Sequence, residues 1–201
     1  MEALFEPAAI AELSLLMVYS DGTQLEDQIG REWFAQTAEL LAGQGIPSPL
    51  VGLLKPWAAY LTLSMPRQTG KLPLDFRLME DAQQRGLSIH GLETIAEQTA
   101  ALSDLALADQ VQLLKAVICH YDAVQTSIED SVSAYLDRDL AALVVHAEQQ
   151  RGTNAELHRR LLDSLVIQRN VRMVARMLPQ LRQGHAFVAV GALHLPGQQG
   201  V

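Results

Sequence analysis

The sequence predicts an α/β domain, mostly helical, in which a small and largely parallel sheet is covered by helices. Long segments carry apolar residues at helical spacing, as Trp33 and Leu41 do on one side of residues 25–42. Residues 87–90 form a short strand candidate. Residues 186–190, Ala-Phe-Val-Ala-Val, form a continuous apolar run of the kind found in strands buried on both faces. Together these features favour helices packed over a few parallel strands.

The first half of the chain is predicted to be helical. Residues 8–19 are apolar at near-helical spacing and end in a Ser-Asp-Gly turn. Residues 25–42 form a second helix, and a loop rich in Gly and Pro follows it. Residues 50–65 form a third, in which Pro56 suits a first helical turn.

The second half alternates helices with the two strand candidates. Residues 74–85 form a short helix closed by Gly86. After the first strand candidate, Thr94 followed three residues later by Glu97 is a capping box, which predicts that a helix begins there. Four amphipathic helices follow, the last starting near Arg169 and ending at Gly184, just before the second strand candidate.

Composition excludes several classes of protein. The formal net charge of −8, without a basic stripe, makes nucleic-acid binding improbable, because an acidic surface repels phosphates. A single cysteine, Cys119, excludes an intrachain disulfide framework and a cysteine zinc cluster. No apolar run approaches the roughly 18–20 residues that a membrane span needs, so no membrane span is expected in this chain.

The candidate chemistry lies just after the strand candidates. Glu93 follows the first and His194 follows the second, each after a glycine turn. Ligands gather at the carboxyl edge of parallel strands, and a carboxylate with an imidazole suits zinc or a harder divalent ion. Arg169 and Asn170, at the start of the last helix, can hold a carboxylate or a polarised carbonyl. A helix cap with a surface charge explains that pair more simply.

Three motifs, taken in order, resemble those of the TraB/PrgY/GumN/Tiki superfamily, in its bacterial GumN-like branch. They are Gly-Leu-Glu-Thr at residues 91–94, Arg-Asn-Val-Arg-Met at 169–173, and Gly-Ala-Leu-His-Leu-Pro-Gly at 191–197. Leu-Lys-Pro-Trp at residues 54–57 is also similar to a GumN-like segment. The resemblance covers residues 25–201.

The resemblance implies a compact α/β domain and a metal-dependent, peptidase-like hydrolase acting on a peptide or protein. Glu93 and His194 would then be metal ligands or the catalytic acid and base, and Arg169 and Asn170 would support the substrate or an oxyanion. Divalent cobalt, manganese or zinc would be the ion. The GumN-like branch also implies export to the periplasm.

One departure from the family pattern concerns a second Gly-x-x-His motif, which the family carries on an N-terminal strand. No such motif precedes Gly91. We therefore expect residues 1–201 to be a single domain that lacks this strand and is inactive as it stands, since catalytic metal sites normally use three protein ligands.

Two alternatives to a hydrolase stay open. The first is a non-catalytic relative of the same fold that binds a peptide or protein in a groove lined by Trp33 and Trp57. A plain helical interaction domain with chance motifs is the other, and the absence of any parallel strand pair would support it. The sequence leaves the oligomeric state open.

Overall fold

The protein is built from helices throughout the part of the chain that the computed structural model describes, residues 7–66, 73–149 and 154–201. The helices are α1 Pro7–Met17, α2 Leu25–Ile29, α3 Arg31–Ala42, α4 Ser48–Leu53, α5 Pro56–Leu63, α6 Leu74–Gln84, α7 Ile95–Ser103, α8 Leu107–Cys119, α9 Tyr121–Leu136, α10 Leu140–Gln149, α11 Ala155–Leu162 and α12 Gln168–Gln183. A π-helical segment, Asp163–Ile167, joins α11 to α12, and Ala192–His194 forms a 3-10 turn.

The predicted α/β fold class, with its parallel sheet, is wrong. No strand forms within the described residues, where the only β-pairing is a single antiparallel bridge between Val18 and Leu54. Residues 185–190 make no backbone–backbone hydrogen bond to any described residue. Phe187, expected to be buried on both sides, is 82% exposed. An apolar run becomes a buried strand only when another strand lies beside it, and periodicity alone cannot supply that partner.

Glycine and proline divide the predicted N-terminal helices into shorter ones. The helix expected over residues 25–42 breaks at Gly30, whose φ of 86° is a conformation that favours glycine. The helix expected over residues 50–65 is interrupted between α4 and α5, and Pro56 occupies the first turn of α5, as predicted.

The hydrophobic core lies where α5 packs against α8, with α2, α3 and α4 around them. Trp57 is 2% exposed and is the largest side chain buried there. The leucine and valine side chains fully enclosed with it are Leu25, Leu41, Val51, Leu63 and Leu114. Burial of this apolar surface is the main force that orders the N-terminal half.

The C-terminal half positions the candidate site. Helices α11 and α12 and the π-helical segment between them form one helical run, and the π-helical segment packs against α7 and the 3-10 turn. Helices α9 and α10 form a hairpin that also contacts the 3-10 turn. The site therefore lies where the start of α12, the loop before α7 and the 3-10 turn meet.

Candidate functional site

The structure brings all four of the residues singled out in the sequence into one cluster. Arg169 and Asn170 are neighbours in the first turn of α12. Arg169 contacts Glu93 from the loop before α7, and Asn170 contacts His194 from the 3-10 turn. The acid and the imidazole are therefore each held by one of two consecutive residues of a helix turn, and no strand of the described residues takes part.

Glu93 is held by a buried ion pair. Its Oε1 and Oε2 each lie 3.0 Å from Nε of Arg169, and Oε2 also accepts a 2.7 Å hydrogen bond from Nη2. The two side chains are 9% and 12% exposed. Nη1 of Arg169 donates to the carbonyl of Leu165 in the π-helical segment, at 3.0 Å. Arg172 makes a weaker contact, with Nη2 3.5 Å from Oε1 of Glu93. Such charge-assisted bonds fix the orientation of the carboxylate.

Asn170 is buried and uses its whole amide within the chain. Its Nδ2 donates to the carbonyl of His194 at 3.2 Å and to that of Gln199 at 2.7 Å. This leaves Oδ1 as the acceptor that faces Nδ1 of His194, at 2.6 Å. Because Oδ1 can only accept, Nδ1 must carry the hydrogen, and Nε2 carries the lone pair.

His194 is 8% exposed, and its surroundings favour the neutral ring. Burial lowers the pKa of His194 below its usual 6.5, and the positive charge of Arg169 lowers it further, partly offset by Glu93. Among the described residues, Nε2 has no hydrogen-bond partner. Near neutral pH this nitrogen is therefore a free base or a free metal ligand.

The start of α7 fixes the loop that carries Glu93. Thr94 caps the helix by accepting from the Glu97 amide at 3.2 Å, and Oε2 of Glu97 accepts from the Thr94 amide at 2.9 Å, which confirms the predicted capping box. Arg176 donates to both oxygens of Glu97, at 2.7 and 2.6 Å, and to the carbonyl of Leu92. These bonds lower the pKa of Glu97 to about 2.

Arg172 and Arg176 also take part in this cluster, although neither was among the residues predicted for the site. Both contact the loop before α7. A signal was present, because residues three and seven positions after Arg169 lie on the same helical face as Arg169. The spacing of these arginines therefore predicts one basic helix face, and the structure shows that this face contacts Glu93 and Glu97.

The residues in this cluster do not by themselves fit a divalent metal. Glu93 is already paired with two guanidinium groups, whose positive charge disfavours a cation beside it. His194 offers one free nitrogen, whereas a catalytic metal normally has three protein ligands. Within residues 7–66, 73–149 and 154–201, no group of three or more His, Cys, Asp or Glu side chains is placed to hold an ion. The metal stays a prediction of the resemblance.

Other sequence-based expectations meet mixed outcomes. Trp57 lies in the core, and the ring of Trp33 is partly covered by Nζ of Lys115, 5.3 Å from its centroid. The two tryptophans therefore do not line a shared open groove.

Cys119, which follows the apolar Ile118 in the sequence, is exposed. Of the helices in the described segments, none has the length and apolarity that crossing a bilayer requires.

Comparison with known proteins gives one match. The family model described as the TraB/PrgY/gumN family matches residues 2–201. No curated protein and no solved structure matches the chain. The match spans nearly the whole sequence and includes the segments that carry Glu93, Arg169, Asn170 and His194. The chain belongs to the TraB/PrgY/gumN family.

Proposed function

We propose that this protein is a peptidase-like hydrolase in which His194 acts as a general base. The observation that supports this is the hydrogen bond from Nδ1 of His194 to Oδ1 of Asn170, which leaves the lone pair of Nε2 free. A general base must be uncharged at the working pH and must be held in one orientation. The lowered pKa of His194 meets the first requirement, and the hydrogen bond to Asn170 meets the second.

The proposed step is attack of water on a peptide carbonyl. Nε2 of His194 takes one proton from the water, its oxygen bonds to the carbonyl carbon, and the carbonyl oxygen becomes an oxyanion. The proton then passes from His194 to the departing amine as the C–N bond breaks. Arg169 lies close enough to act electrostatically on His194, so it also favours negative charge developing beside the ring.

Asn170 acts on the ring and not on the substrate in this scheme. Both hydrogens of its amide are already donated to backbone carbonyls, so it has no donor left for an oxyanion. It is a positioning residue for the ring, whereas Glu93 holds the guanidinium of Arg169 in place.

The test is a peptide-cleavage assay with a library of fluorescence-quenched peptides, with chelator and separately with added cobalt, manganese or zinc. Although the missing Gly-x-x-His motif led us to expect an inactive chain, His194 already has the orientation and the neutral ring that a general base needs, and we expect slow cleavage. His194→Gln should lower kcat/KM by about 100-fold or more, the usual contribution of a general base. His90→Gln, at an exposed histidine near Glu93, is the matched control and should retain full activity.

Two results would contradict the proposal. One is the absence of cleavage under every condition, and the other is full activity in His194→Gln. Cleavage that depends on an added ion and survives His194→Gln would place the chemistry elsewhere.

A further inference from the structure

A cavity lies between the tip of the α9–α10 hairpin and the loop that carries His194. Its volume is about 410 Å³, which lies within the roughly 300–1,000 Å³ typical of small-molecule sites. Ala192 and Leu195 line one side, within two residues of His194. The other side is formed by the hairpin tip, where α9 ends at Leu136 and α10 begins at Leu140.

Most of the cavity wall is apolar and remains accessible. Leu136, Leu140 and Leu195 are 73%, 39% and 45% exposed, whereas Leu143 at the base is buried. Exposed leucines gathered around one concave surface are unusual in an isolated domain, because each loses the free energy of burial. Such a wall suits a large apolar side chain.

Arg138 is the charged residue among those lining the cavity. It occupies the turn between the two helices with a φ of 60°. Within the described residues its side chain makes no hydrogen bond or ion pair, although Asp137 and Asp139 are adjacent in sequence. The Asp139 carboxylate is used at the start of α10, where it accepts the Ala142 amide at 2.9 Å.

An unpaired guanidinium at an apolar cavity complements a carboxylate attached to an apolar group. Arginine presents its donors in a fork that matches a carboxylate. The chain as a whole has a net charge of −8, so it does not attract anions in general. A carboxylate bound in this cavity would therefore be attracted by the guanidinium of Arg138 itself.

We propose that this cavity binds the C-terminal residue of a peptide, with its large apolar side chain against Leu136, Leu140 and Leu195 and its carboxylate on Arg138. A terminal leucine combines an apolar side chain and a carboxylate in one residue, which matches a cavity lined by both leucines and Arg138. This binding function goes beyond the proposed hydrolysis and does not depend on it, since none of the cavity residues named here takes part in the proton transfer.

The test measures binding without turnover. N-acetyl-leucine is titrated into the ¹⁵N-labelled protein, and N-acetyl-leucinamide, which lacks the carboxylate, is titrated in parallel. We expect saturable shifts of the backbone amides around Arg138, Leu143 and Ala192, with the amide probe binding about tenfold more weakly, because a hydrogen-bonded charge contributes on this scale.

Variants at exposed positions assign the contacts without endangering the fold. Arg138→Gln should weaken the binding of N-acetyl-leucine about tenfold, so that its affinity equals that of N-acetyl-leucinamide. Leu136→Ser should weaken the binding of both probes by the same factor, which should be smaller than tenfold. Arg182→Gln, at an exposed arginine outside the cavity lining, is the matched control and should bind as the unmodified protein does. Thermal unfolding of each variant confirms that it is folded.

Three results would overturn the proposal. They are equal binding of both probes, shifts that map away from the cavity, and an Arg138→Gln variant with unchanged affinity. Octanoate is titrated as a further probe, and tighter, Arg138-dependent binding of octanoate than of N-acetyl-leucine would replace the peptide terminus with a fatty carboxylate as the occupant.

Discussion

Around Trp57 the chain is ordered by apolar packing, whereas around His194 it is ordered by side-chain hydrogen bonds. The first region encloses a tryptophan and several leucines almost completely. The second region leaves Phe187 82% and Leu195 45% exposed. Hydrogen bonds from Arg169, Asn170 and Arg176 connect its segments. Apolar packing is non-directional, whereas hydrogen bonds fix the positions and orientations of the groups that they join. The candidate site lies in the region that is ordered by hydrogen bonds.

The largest expected effect tests the packed region. Trp57→Ala should lower the free energy of unfolding by about 4 kcal/mol, because it removes buried surface and leaves a cavity. Urea denaturation followed by far-UV circular dichroism measures this. Leu15→Ala, at a leucine that is 72% exposed, serves as control and should change the stability by less than about 0.5 kcal/mol. A loss below about 1 kcal/mol in Trp57→Ala would mean that the core is not centred there.

A somewhat smaller effect tests the polar region. Glu93→Gln should cost about 3 kcal/mol, because it leaves the charge of Arg169 buried without compensation. The same denaturation experiment applies. Glu156→Gln removes the partner of Arg159 in a pair that is 62–69% exposed, so as the matched control it should leave the free energy of unfolding nearly unchanged.

A double variant tests whether the uncompensated charge of Arg169 causes the loss of stability in Glu93→Gln. Glu93→Gln combined with Arg169→Met should recover part of the stability, since no uncompensated charge remains. If the double variant were as unstable as the sum of the two single ones, the ion pair would not be the cause.

The smallest effect concerns pH. The folded-state pKa of His194 lies below 6.5, so the unfolded chain binds a proton more readily. The stability contributed by the neutral ring is therefore complete above about pH 6.5 and is lost as the pH falls through the folded-state pKa. Thermal unfolding between pH 8 and pH 5 should show a steeper loss for the unmodified protein than for His194→Gln. Parallel curves would contradict a neutral, buried ring.

Sequence patterns predicted local features well and pairing poorly. The helix beginning at Thr94 is confirmed, because a capping box depends only on residues three positions apart. The prediction of a sheet is wrong, because a strand forms only beside a partner segment, and the apolar run at 186–190 carries no information about one. The break at Gly30 was also missed, since helical periodicity continues across it.

Glu93, Arg169, Asn170 and His194 do lie in one cluster, but for a reason other than the predicted one. Glu93 and His194 were expected to meet at the carboxyl edge of a sheet. They come together because Arg169 and Asn170, consecutive on α12, project in directions about 100° apart and each binds one of them. Their roles in catalysis stay predictions.

The π-helical segment at Asp163–Ile167 makes this arrangement tolerant of one mutation that would disrupt it elsewhere in the same helical run. A π turn holds one residue more than an α turn, so loss of a single codon there would restore regular winding and leave the following residues near their original rotation about the axis. Loss of a codon in α11 would instead rotate everything after it by about 100°. Arg169 and Asn170 would then lose both partners at once, although every side chain of the cluster would still be encoded.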